Sequence, residues 1–125
     1  MGASLALEPL NRYEADYVNN VNEALSFISY ADLHNTGLLL DTFHMNIEEV
    51  SIEGSIRKAG ERISHMHVAD SNRLAPGLGH LPFRDIIGAA VRLGYDRYLS
   101  TEIMTSPNPV RDSRIAIDKL RNILG

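Results

Sequence analysis

Hydrophobic positions along this chain switch repeatedly between a strand-like pattern and a helical one. Leu38, Leu39 and Leu40 form a continuous apolar run that stops at Asp41, the pattern of a strand buried on both faces. Residues 4–9 read as a shorter strand that ends at Glu8 and is stopped by Pro9. Residues 63–69 alternate, which puts His65 and His67 on one face and Met66 and Val68 on the other. Residues 98–103 give a fourth strand, again ending near an acid, Glu102.

Between these runs the period lengthens. Tyr17, Val18, Val21, Leu25 and Ile28 recur at helical spacing and predict a helix from about Ala15 to about Tyr30. Asn46 is placed to cap a short helical turn carrying Glu48 and Glu49, both assigned to a solvated helix start. A second helical piece covers residues 52–58 and ends at Gly60. Ile86, Ile87, Ala90 and Val91 form the apolar stripe of a helix over residues 83–93, with Gly94 as its cap. Ile115, Ile117, Leu120 and Ile123 form the inward stripe of a last helix. Residues 35–37 read as a turn, and residues 70–82, rich in Gly, Pro and polar side chains, as a long functional loop. Four strand–helix units with no linker predict one α/β domain over residues 1–125, a parallel sheet with helices outside it.

Composition narrows the function more than the fold. The 125 residues are 44% hydrophobic and 22% charged, enough apolar material for a real core. Net charge is -4 and the basic residues are scattered, which argues against a nucleic-acid partner. With no cysteine, neither a disulfide framework nor a thiolate metal site is possible, and a cytoplasmic location is the expectation. No apolar run approaches the roughly 20 residues of a membrane span, and no basic-then-apolar leader opens the chain.

The candidate chemistry lies where the strands stop. Glu8, Asp41, His67 and Glu102 each stand at or near the C-terminal end of a different strand. In a parallel sheet those ends share one face, so the four side chains can converge. Three carboxylates and one imidazole make a mostly hard oxygen site, suited to Mn²⁺, Co²⁺ or Mg²⁺ rather than structural zinc. Glu14, His44 and Arg73 follow at short offsets in the loops. Each residue has a plainer reading: Glu8 and Glu102 as solvated acids, Asp41 as a helix cap, His65 as an interior histidine, Met45 and Met66 as packing, Glu14 and Arg73 as surface charges. Four coincident hits at four strand ends outweigh the plain reading of any one.

Several blocks together resemble the D-tagatose 3-epimerase/D-psicose 3-epimerase family of sugar epimerases, within the xylose-isomerase-like TIM barrels. They are residues 7–14 (LEPLNRYE), 41–49 (DTFHMNIEE), 65–73 (HMHVADSNR), 76–83 (PGLGHLPF) and Thr101 with Glu102. The resemblance implies that Glu8, Asp41, His67 and Glu102 ligate a divalent metal, Mn²⁺ first among the candidates. It implies that Glu8 and Glu102 also act as the acid/base pair of a ketose 3-epimerase working through an enediolate. It implies further that Glu14, His44 and Arg73 hold the oxygens of a ketose substrate. Phe83 stands where many relatives of that family carry tryptophan, a difference of packing more than of chemistry.

The resemblance covers only the second half of the family's fold. A TIM barrel has eight strand–helix units and typically about 250 residues. Half a barrel leaves two open sheet edges, and the expectation is a homodimer in which two copies complete one eight-stranded barrel. The alternative is a catalytically inactive half-barrel that folds and self-associates without turnover. A third possibility, a metal-dependent DNA-repair nuclease of similar fold, is disfavoured by the acidic net charge.

Overall fold

The computed structural model describes residues 3–125. Strands β1 (Leu5–Leu7), β2 (Thr36–Asp41), β3 (Ile63–His67) and β4 (Leu99–Ser100) alternate with helices α1 (Val21–Tyr30), α2 (Thr42–Glu48), α3 (Ile52–Ala59), α4 (Phe83–Arg92) and α5 (Pro109–Leu124). A 3₁₀ turn, Gly60–Arg62, joins α3 to β3. The four strands form one sheet in the order β1-β2-β3-β4, every pair parallel. The expected half of a β/α barrel is therefore present: neighbouring strands in space are successive strands in the chain.

Burial on the helix side holds the layers together. Leu38 and Leu40 from β2 and Ile63 and Met66 from β3 meet Val21, Ala24 and Ile28 of α1, Ile56 and Ala59 of α3, and Ile86, Ala89 and Ala90 of α4. Each fully buried Leu, Ile or Met in this layer contributes about 1.5–3 kcal/mol of transfer free energy. Val68, Phe83, Ile87 and Leu120 make a second cluster under α5. Met45 and Met66 pack in the interior as the sequence suggests. Leu39, on the opposite face of β2, is only half-buried, so the leucine strand is not buried equally on both sides.

Several elements differ from the sequence expectation. The first long helix starts at Val21, not near Ala15. Tyr17 and Val18 lie before it, Val18 with φ +57, and Asn20 caps it by accepting from the Glu23 N–H at 3.0 Å. The helical spacing of Tyr17 and Val18 is coincidental with packing: Tyr17 stacks edge-on against Phe27 at 5.7 Å. Asn46 is inside α2 and caps nothing. The cap is Asp41, whose Oδ1 accepts from the Phe43 N–H at 2.7 Å, so the helix begins directly where the strand ends. Glu48 and Glu49 stand at the C-terminal end of that helix, not at a solvated start. Glu48 pairs with Arg12 at 2.9 Å, and Glu49 accepts from the Val21 N–H and the Ser55 hydroxyl. Val91 and Ile117 are exposed, whereas Ala89 and Ala116 are buried in their helices. β4 is confined to two residues, and Glu102 lies just past it.

One irregularity sets the register of the centre. Leu38 pairs with Ile63 but Leu39 pairs with His65, so β3 carries an extra residue, Ser64, between them. A Cβ on Gly37 would come within 1.8 Å of the Ser64 hydroxyl and 2.8 Å of the Arg62 carbonyl. The absence of a side chain at Gly37 is what admits the bulge. Downstream of it, Asp41 and His67 are partners across the ladder.

Candidate metal centre

The bulged register, the cap and the strand ends bring Glu8, Asp41, His67 and Glu102 together. One ligand atom from each lies within 4.8 Å of the others. His67 Nδ1 is central: Asp41 Oδ2 is 3.7 Å away, and Glu8 Oε1 and Glu102 Oε2 are each 3.8 Å away. None of these separations is a hydrogen bond. Two donors each about 2.1 Å from one divalent ion stand roughly 3–4 Å apart, depending on the angle between them. The spacing therefore fits four ligands around a single ion better than it fits direct pairing.

The hydrogen-bond census supports the same fit. Glu8 Oε1, Asp41 Oδ2 and His67 Nδ1 are buried and have no partner among the described residues. Buried polar atoms without partners are rare in native proteins, and three aimed at one point mark a place for a ligand. Asp41 divides its two oxygens between tasks: Oδ1 caps α2 and Oδ2 joins the cluster. Burial, followed by repulsion from Asp41 and Glu102, pushes the Glu8 carboxyl from 4.5 up to about 7. Burial likewise raises Asp41, against the opposing pull of the Phe43 N–H. Carboxylates held this way accommodate a cation readily, because neutralising their mutual repulsion is part of the binding energy.

Beside the cluster is a second layer of polar groups. Arg73 donates to Glu14 Oε1 at 2.8 Å and to Glu102 Oε2 at 3.2 Å, joining two of the sequence candidates directly. Its guanidinium also lies over the Phe43 ring, 4.9 Å from the centroid. Arg73 has φ +60, in a tight turn where its N–H donates to the Asp70 carbonyl. Asp70 is fully buried. Burial alone would raise its carboxyl, but backbone N–H groups of Leu81, Ser71, Gly79 and Gly77 hold it below the usual range. That acid fixes the loop of residues 70–82 and so the position of Arg73. His44 is 1% exposed and is approached by the Asn11 backbone N–H and by the Asn11 amide. The Asn11 amide also lowers the Glu14 carboxyl, with Arg73 adding to the effect.

His65 stands apart from the cluster, bonded to the Ser100 hydroxyl and stacked at 90° on His67. Three contributors were not apparent from the sequence. Asn11 lies between Glu8 and Glu14 in a stretch that reads only as a polar loop. Phe43 stands out in the sequence only as part of the 41–49 block, and its ring supports Arg73. Thr42 donates to the Ala69 carbonyl at 2.6 Å and accepts from the Ala69 N–H at 3.0 Å, tying the ends of β2 and β3 together.

A parallel half-barrel with carboxylates and an imidazole gathered at its strand tips defines the class: half of a β/α barrel with a candidate metal site at its strand ends. The family of xylose isomerase-like TIM barrels matches residues 1–123, and the chain belongs to that family. It is 43% identical over 95 residues to a D-psicose 3-epimerase of Ruminiclostridium cellulolyticum, covering 76% of this chain and 32% of that protein. The solved structure of an L-ribulose 3-epimerase superposes with a TM-score of 0.93 at 30% identity, covering 98% of this chain and 48% of that one. A D-psicose 3-epimerase solved in the presence of D-fructose superposes with a TM-score of 0.90 at 31% identity, covering 99% and 50%. The chain thus spans between a third and a half of the length of these relatives. Among the described residues, no helix is long and apolar enough to cross a membrane.

Proposed function

We propose that this chain carries the metal site and acid/base pair of a divalent-metal-dependent ketose 3-epimerase. Glu8, Asp41, His67 and Glu102 would hold the ion; three carboxylates and one imidazole suit Mn²⁺, Co²⁺ or Mg²⁺, and the family resemblance puts Mn²⁺ first. When bound, such an ion supplies Lewis-acid polarisation of a carbonyl and the neighbouring hydroxyl. Glu8 and Glu102 are the acid/base pair: one takes the proton from the carbon beside the ketone, and the other returns a proton to the opposite face of the enediolate. Arg73, Glu14 and His44 hold the sugar oxygens around that carbon. The observation that carries this reading is the convergence of three buried, unpartnered ligand atoms on one point. The substrate class comes from the relatives, D-psicose and L-ribulose 3-epimerases. The test is to incubate dialysed protein with Mn²⁺ and D-fructose and assay for D-psicose. Turnover that disappears in Glu102→Gln with the fold intact supports the assignment; turnover unchanged by Glu102→Gln contradicts it.

The partner that fits the fold is a second copy. Among the described residues β1 and β4 each pair on one side only, and the chain covers about half of the full barrels it superposes on. Two copies related by a two-fold axis would close an eight-stranded barrel. Size-exclusion chromatography with light scattering tests this, with twice the chain mass as the expected result. A well-folded monomer at micromolar concentration contradicts it. The same open edges favour one alternative: a half-barrel that associates and binds metal without turnover, which would show as a Mn²⁺-stabilised dimer inactive on every ketose tested.

A further inference from the structure

Asn11 is not itself a candidate ligand, yet it is 1% exposed and both of its amide hydrogens and its Oδ1 are hydrogen-bonded. Its Nδ2 donates one hydrogen to Glu14 Oε1 at 2.9 Å and the other to His44 Nδ1 at 2.8 Å. Its Oδ1 accepts from the Tyr13 N–H at 2.9 Å, which fixes the orientation of the amide. Its own backbone N–H also donates to His44 Nδ1, at 3.2 Å. A backbone N–H cannot act as an acceptor, so it biases the ring nitrogen facing it toward presenting its lone pair, and the shorter contact from the side-chain amide completes the bias.

From this we infer that Asn11 is a positioning residue that locks His44 in the tautomer with its proton on Nε2. His44 Nε2 is buried and has no partner among the described residues. With Nδ1 held as an acceptor from two directions, Nε2 is obliged to be a donor. A buried N–H without an acceptor is unfavourable until an oxygen arrives to take it. His44 therefore offers one hydrogen to an incoming ligand and cannot take a proton from it through that nitrogen. The same Asn11 amide orients Glu14, so one residue sets a donor (His44) and an acceptor (Glu14) together. A hydroxyl or carbonyl oxygen beside a second hydroxyl matches that pair. The ligand's being a ketose rests on the proposed function; the tautomer does not.

The experiment reads the tautomer directly in the metal-free protein. Long-range ¹⁵N–¹H correlation spectra of ¹⁵N-histidine-labelled protein distinguish a protonated ring nitrogen from a lone-pair nitrogen, with the His44 signals assigned by their loss in His44→Gln. The expected wild-type result is a single form protonated on Nε2. Asn11→Asp, nearly the same shape but with an acceptor in place of the amide donors, is expected to move the proton to Nδ1. Should Asn11→Asp fail to fold, Asn11→Ala keeps the backbone donor alone and is expected to show a mixture of tautomers. A wild-type spectrum with the proton on Nδ1, or a pure Nε2–H form surviving in the variant examined, overturns the inference. Because no turnover is measured, failure of the epimerase assay leaves this result standing, and the converse holds equally.

Discussion

Asp41 and His67 face each other across the β2–β3 ladder with Oδ2 and Nδ1 3.7 Å apart and no hydrogen bond between them. The extra residue Ser64 puts them there, and the hydrogen bond from the Phe43 N–H holds the other Asp41 oxygen in place. Asparagine is as good a helix cap as aspartate. Asp41→Asn should therefore keep α2 while removing a buried charge from a cluster of acids. The metal-free protein is expected to gain about 1 kcal/mol, on the scale of a lost like-charge contact, and to lose all stabilisation by Mn²⁺. Asp41→Ala should lose the cap as well, at a cost of about 1 kcal/mol. Denaturant melts of the three proteins with and without Mn²⁺ check the pattern.

The raised Glu8 carboxyl makes the metal-free protein sensitive to pH. Its value of about 7 in the fold lies above the 4.5 of the free side chain. The protonated form is thus favoured by folding. Its contribution is complete below pH 4.5 and is lost as the pH rises through about 7. Allowing for the partial exposure of Glu8, the loss is about 1–2 kcal/mol. Asp41 is raised in the same direction. Chemical denaturation between pH 5 and pH 8 should show metal-free stability falling, with a flatter profile for Glu8→Gln. Saturating Mn²⁺ should reverse the slope, because the metal binds the deprotonated ligands.

Gly37 makes room for the bulge that aligns the site. Gly37→Ala should force the Ser64 hydroxyl and the Arg62 backbone aside, since a Cβ would stand 1.8 Å and 2.8 Å from them. The expected loss is about 1–3 kcal/mol, the range for overpacking. Pairing it with Ser64→Gly should recover part of that loss, because the nearest clashing atom is then gone. Melting curves of the single and double variants measure the recovery.

Phe43 supports Arg73 from below. Phe43→Leu should free the guanidinium to wander, removing about 1 kcal/mol of cation–π attraction. The proposed metal ligands are untouched, so on the proposed function Mn²⁺ binding should be unchanged while the affinity for a ketose falls roughly five-fold. Calorimetric titration of the metal first and the sugar second separates the two effects.

The strand tips were legible in the sequence because an apolar run ending in an acid or histidine is a local signal. Glu8, Asp41, His67 and Glu102 needed only the parallel topology to be brought together. What escaped was anything depending on one residue serving two neighbours. Asn46 has the chemistry of a cap, but Asp41 reaches the helix first because β2 runs into α2 without a loop. Tyr17 and Val18 fit a helical period yet precede the cap at Asn20, and Val18 adopts φ +57. The Ser64 bulge leaves no mark in the alternation of β3, since its evidence is the emptiness at Gly37 on the next strand. Asn11 reads as loop because its distant partner, His44, is 33 positions away.

Mn²⁺ titration of dialysed protein, followed by calorimetry and by thermal unfolding, bears most directly on the metal centre. The account predicts saturable uptake of one ion per chain with a clear rise in Tm, abolished by Asp41→Asn and by His67→Ala. An absence of uptake, or uptake that survives both substitutions, would contradict it.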